Sequence, residues 1–159
     1  MMRTARLPDS VRSVPRRKAQ LFPTPDDAES AFYEAFERGD LAAMMAVWAE
    51  DDDVVCVHPQ GPRLVGFEAV RESWTQIFGS GMQLRVRTTD ARQYHGQALA
   101  VHSVVEMLAA AGEGVAPPPV AATNVYVLTE EGWRMMVHHA SPLPGPATEA
   151  PPPEPHTLH

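Results

Sequence analysis

The chain has 159 residues, 44% of them apolar and 7% aromatic, a formal charge of −7 and one cysteine, Cys56. No apolar run approaches the about 20 residues that a membrane-spanning helix needs, so no membrane partner is expected. A lone cysteine excludes an intramolecular disulfide and a cysteine-only metal site.

Charge is unevenly placed. Residues 1–22 carry six basic side chains against Asp9, which leaves a strongly acidic body. Nucleic-acid binding is driven largely by neutralising phosphates, so an acidic body argues against that partner. Together with the single cysteine, it points to a cytoplasmic protein. Pro8 and Pro15 interrupt the basic head, which reads as a disordered extension over 1–22. Pro144 to Pro155 holds six prolines among small and acidic residues, so 144–159 reads as an extended tail. One domain is left, over 23–143.

In chain order, Thr24-Pro25-Asp26-Asp27 supplies a hydroxyl N-cap, a proline at N1 and first-turn acids. Ala28, Phe32, Ala35 and Phe36 follow at helical spacing, and Gly39 ends the helix. Asp40 caps a second helix through Leu41, Met44, Met45 and Trp48, which stops at the acid cluster Glu50 to Asp53. A short strand, Val54 to His58, leads into a Pro59-Gln60-Gly61-Pro62 loop. The third helix, Phe67 to Phe78, buries Phe67, Val70, Trp74, Ile77 and Phe78.

From Met82 the period changes to two. Strands from Met82 to Tyr94 and from Gln97 to Leu108 flank a turn at His95-Gly96. A Gly/Ala/Pro connection, Ala109 to Pro119, leads to a second hairpin whose polar turn is Thr129 to Gly132. Strict alternation puts Asn124, Tyr126, Trp133, Met135, Val137, His139 and Ser141 on one face, and Thr123, Val125, Val127, Met136 and His138 on the other. Only one of the two adjacent histidines then belongs to any one pocket. The element order defines an α+β fold with three N-terminal helices gathered on one face of a curved antiparallel sheet.

This order, with DDDVVCVHPQGPRLVGFEAVRESW (Asp51 to Trp74), VVE (Val104 to Glu106), ATNVYV and GWRMMVHHASP, resembles the nuclear transport factor 2-like superfamily, and within it the SnoaL-like and ketosteroid-isomerase-like bacterial proteins. The resemblance covers roughly residues 24 to 143. It implies a cone-shaped fold with an apolar pocket inside, and a homodimer joined through the sheet. The scaffold hosts isomerases, cyclases, dehydratases, hydrolases and binding proteins, so it fixes fold better than function. In its isomerases and cyclases an aspartate acts as base. Here the pocket positions read as histidine and glutamate, which weighs against a steroid isomerase.

His58, just before Pro59, is either a structural histidine or a pocket acid/base. Glu106 breaks an apolar run, so it either titrates upward in a pocket or pairs at a strand edge. Asn124 is unfavourable in mid-strand. It needs partners, and a network with His139 or Glu106 supplies them. The candidate catalytic residues are therefore His139, Glu106 and His58. Asn124, Tyr126, Trp48, Trp74 and His102 are the candidate substrate contacts.

A metal would require three convergent ligands. His58, His139 and Glu106 are the available ones, but no ligand spacing appears and no metal is expected. Nor is there a glycine-rich phosphate loop, so no nucleotide cofactor is expected. Two functions stay open: a cofactor-independent acid/base enzyme on an apolar carbonyl compound, or a non-catalytic module that binds an apolar or carboxylate-bearing small molecule.

Overall fold

A computed structural model describes residues 21–110 and 117–144. The proline-rich tail, nearly all of the basic head and the middle of the Ala109 to Pro119 connection lie outside the described residues. Thr24 caps helix α1 (Pro25–Arg38) in a reciprocal box. Its hydroxyl accepts from the Asp27 backbone N–H at 3.1 Å, and the Asp27 carboxylate accepts from the Thr24 N–H at 3.1 Å. Gly39 ends the helix with φ 61°, a conformation that favours glycine. Asp40 caps α2 (Leu41–Val47), and Trp48 has already left the helix for extended backbone. Helix α3 spans Phe67–Gly79.

The sheet has six strands: β1 (Val55–Val57), β2 (Arg63–Val65), β3 (Leu84–His95), β4 (Leu99–Ala110), β5 (Val120–Thr129) and β6 (Gly132–Pro142). Their spatial order is β2-β1-β6-β5-β4-β3. Every neighbouring pair is antiparallel except β1 with β6, which is parallel. Strand β2 is an addition to the sequence reading, which left 63–65 unassigned. Three residues between Pro62 and Gly66 are too few to show a period.

The three helices pack on the inner face of this curved sheet. Ala28, Phe32 and Ala35 of α1, Met44 and Val47 of α2, and Val70 and Trp74 of α3 meet Tyr126 and Met135 in one core. Burial of this apolar surface is what holds helices to sheet.

One irregularity decides the site. In the β5–β6 ladder Tyr126 pairs with Met135, but Val125 pairs with Val137, so Met136 is an extra residue in β6. Such a bulge reverses the alternation beyond it. Trp133 and Met135 face inward as expected. Past the bulge, His138 and Ala140 face inward, while His139 and Ser141 are exposed on the outer face. The expectations for His138 and His139 are thereby exchanged. Thr123, Val125 and Val127 take the outer side as expected.

Candidate active site

Beneath the sheet's inner face lies a cavity of about 440 Å³. Phe36, Ile77, Met82, Leu84 and Leu108 supply apolar wall, and the polar groups reaching it include Glu106, His138 and His58. No lysine or arginine is among its described lining residues.

Glu106 is 4% exposed and His138 is 2% exposed. His138 Nε2 lies 4.0 Å from Glu106 Oε1. That separation exceeds a hydrogen bond, so a water or ligand oxygen can bridge the two groups. Behind them stands a polar layer. The Tyr33 hydroxyl donates to Glu106 Oε1 at 2.8 Å, and Asn124 Nδ2 donates to the Tyr33 oxygen at 3.0 Å. On the other side of its amide, Asn124 Oδ1 lies 2.7 Å from His138 Nδ1. Glu29 Oε2 accepts from Asn124 Nδ2 at 3.3 Å, from the Tyr126 hydroxyl at 3.0 Å and from His102 Nδ1 at 2.8 Å.

This layer fixes a tautomer. The Glu29 carboxylate accepts, so the Asn124 NH₂ must face it and the amide oxygen must face His138. His138 Nδ1 therefore carries the proton, and its Nε2 presents a bare lone pair toward Glu106. Burial pushes the His138 imidazole down to about 3, helped by His58 and His139, so it is neutral at physiological pH. Burial pushes the Glu106 carboxyl up to about 7, against the lowering effect of the Tyr33 hydrogen bond and with a further push from Glu29. Burial and the neighbouring Glu106 charge raise the Tyr33 phenol far above its ordinary range, so it stays a donor.

The other histidine of the lining is half-buried. His58 Nε2 sits 2.6 Å from Ser73 Oγ and 3.6 Å from Cys56 Sγ, with the ring edge-on to Trp74 at 4.9 Å. Burial lowers its basicity. Cys56 is raised to about 12 by burial and by Glu106, and stays a thiol.

The candidate residues thus separate into layers. Glu106 and His58 reach the cavity. His139 does not, because the Met136 bulge turns it outward, and His138 takes the place assigned to it. Asn124, Tyr126 and His102 are inward but form the supporting layer instead of the lining. Trp74 packs in the core behind His58. Trp48 lies elsewhere, bridging to Met135 and bordering a different depression with Glu50 and Glu131. The metal trio His58, His139 and Glu106 is not assembled, since His139 faces away.

Sequence reasoning missed Glu29 and Tyr33. Their signal was present: four residues apart on α1, they flank the buried stripe of Ala28, Phe32 and Ala35, one polar row beside an apolar one. An inward Asn124, whose NH₂ group finds its acceptors off its own hairpin, was the other half of the clue.

Three helices closing a curved six-stranded sheet over an acid-bearing cavity define a cone fold of the nuclear transport factor 2-like type. The chain belongs to the SnoaL-like domain family, whose profile matches residues 27–145. Among solved structures, a candidate calcium/calmodulin-dependent protein kinase type II association domain from Thiobacillus denitrificans is 43% identical, with a TM-score of 0.69 over 79% of this chain and 99% of that one. A candidate dehydratase of the NTF2-like family from Streptomyces avermitilis is 32% identical, with a TM-score of 0.68 over 77% of this chain and all of that one. The F-box protein SKIP8 of Arabidopsis thaliana is 30% identical over 103 residues, 64% of this chain but only 42% of that protein. An NTF2-like protein of Pseudomonas putida, 17% identical with a TM-score of 0.66, shares the fold.

Proposed function

We propose that the protein is a cofactor-independent acid/base enzyme acting on an apolar carbonyl compound, with Glu106 as the proton-transferring group. The observation that carries this reading is a carboxyl group raised to about 7 in a largely apolar cavity. A general acid or base works best when its pKa lies near the working pH. Neutral His138 offers a lone pair opposite, fit to accept a hydrogen bond from a hydroxyl that the substrate carries. Tyr33 and Asn124 hold the two groups in register. A carboxylate-bearing ligand fits less well, because no cation among the lining residues would pair with it.

Similarity to a candidate dehydratase supports proton-transfer chemistry of this kind. Similarity to a candidate association domain supports self-association, and we assign the outer sheet face as the homodimer contact. No helix among the described residues is long and apolar enough to cross a membrane. The acidic body and lone cysteine support a cytoplasmic location.

The test is solvent exchange. A panel of enolisable and α,β-unsaturated apolar ketones is incubated with the protein in D₂O, and deuterium uptake next to the carbonyl is followed by NMR. Exchange that depends on protein and disappears in Glu106→Gln supports the assignment. Ketone binding without exchange would make the cavity a holding site, and equal exchange in Glu106→Gln would remove Glu106 from the chemistry.

A further inference from the structure

On the far side of Glu29 from the cavity, three further side chains converge. The hairpin ladder pairs Gln93 with His102 and His95 with Ala100, so Gln93, His95 and His102 share one face of β3 and β4. The first turn of α1 faces them and contributes Asp26. One ligand atom from each of Asp26, His95 and His102 lies within 4.8 Å of the others.

We propose that Asp26, His95 and His102 form a binding site for a divalent transition-metal ion of the zinc type. The site has features that chance surface clusters lack. His102 is fully buried, and its Nδ1 donates to Glu29 Oε2 at 2.8 Å, which leaves Nε2 as the lone-pair nitrogen. A carboxylate behind the non-ligating nitrogen is the arrangement that orients metal-bound histidines. That Nε2 accepts from His95 Nε2–H, 2.7 Å away. A metal ion would take the place of the proton shared by the two nitrogens, which already face one another. Asp26 is held from the other side by Gln93 Nε2, which donates to its Oδ1 at 2.8 Å.

Two imidazoles and a carboxylate leave a fourth tetrahedral position for water, the donor set typical of zinc sites that stay open. With metal–nitrogen bonds of about 2.0–2.1 Å, the two ring nitrogens must separate to about 3.3 Å. His102 is fixed by its packing, so His95, exposed at the end of β3, is the ligand that moves. His95 and Asp26 are both exposed, which makes them safe to replace without endangering the fold.

Titration calorimetry with zinc chloride is done on the full chain carrying His156→Ala and His159→Ala, so that the terminal histidines contribute nothing. One zinc ion per chain is expected. His95→Ala and Asp26→Ala should each weaken binding at least tenfold, and Glu29→Gln about 10–100-fold, with circular dichroism of each variant unchanged. Cobalt(II) in place of zinc should give the intense visible absorption of a four-coordinate site, lost in His95→Ala. No binding by the parent, or zinc affinity unchanged in either His95→Ala or Asp26→Ala, overturns the site. So does a pale, octahedral-type cobalt spectrum.

Discussion

His138 and Asn124 stand opposite each other across the β5–β6 ladder, with Nδ1 of one 2.7 Å from Oδ1 of the other, and this single contact sets which nitrogen of His138 is bare. The amide reads one way because Glu29 and Tyr33 both take its NH₂ side. Asn124 is thus the joint between the helix α1 polar row and the cavity wall.

Replacing Asn124 by alanine removes partners from three buried or half-buried groups at once. Leaving a buried polar group unsatisfied costs about 1–3 kcal/mol. A loss near the top of that range is expected, read as a lower urea midpoint with an unchanged slope. Asn124→Ala with parental stability would mean that the layer is not the support described.

The histidine pair separates by position. His139 is exposed, so His139→Ala should change stability by no more than about 0.5 kcal/mol and leave ketone exchange intact. His138→Ala, by contrast, opens a void beside Phe32, whose ring lies 4.9 Å away, and should lower both stability and exchange. Equal responses from the two variants would contradict the bulge at Met136.

Stability should depend on pH with two opposed limbs. The Glu106 carboxyl, raised from 4.5 to about 7, keeps its proton in the folded chain where the unfolded chain has lost it, so stability falls as pH rises through that interval. His138, lowered from 6.5 to about 3, refuses a proton that the unfolded chain accepts, so stability falls as pH drops through that interval. Between 4.5 and 6.5 the two slopes oppose each other. Between 6.5 and about 7, below the range where the buried Cys56 thiol and the tyrosines contribute, the Glu106 limb stands alone, and Glu106→Gln should flatten it in urea midpoints measured against pH. A fall between 6.5 and about 7 that survives Glu106→Gln would place the titrating group elsewhere.

The outer sheet face supplies a fourth expectation. Leu99, 45% exposed, and Met107, 38% exposed, lie on it with half-buried Val101, Val105, Val125 and Val127. An apolar surface of this kind calls for cover. Sedimentation at micromolar concentration should give a dimer that Val125→Glu converts to monomer. A parent chain that sediments as a monomer would remove the interface.

The sequence carried most of the fold because its signals were local. Thr24, Pro25 and Gly39 mark α1 by their own chemistry, and the turn from Thr129 to Gly132 sets the hairpin pairing of Leu128 with Trp133. The site was less legible, for two physical reasons. A bulge is a property of the ladder, and nothing in Arg-Met-Met-Val announces that Met136 is the extra residue. Asn124 meets Glu29 and Tyr33 from over 90 residues away, so no spacing rule links it to them. Glu106 was legible because a carboxylate inside an apolar strand is conspicuous by itself.

The bulge has a bearing on how such a strand can change over generations. A regular ladder that paired Met136 with Val125 would turn His138 outward and bring His139 in, one pair further along opposite Ala122. A shift of the bulge past the pair therefore trades one imidazole for the next, where a strand with a single histidine would be left with an apolar side chain. The doubled histidine keeps an imidazole on this wall wherever along β6 the extra residue is accommodated.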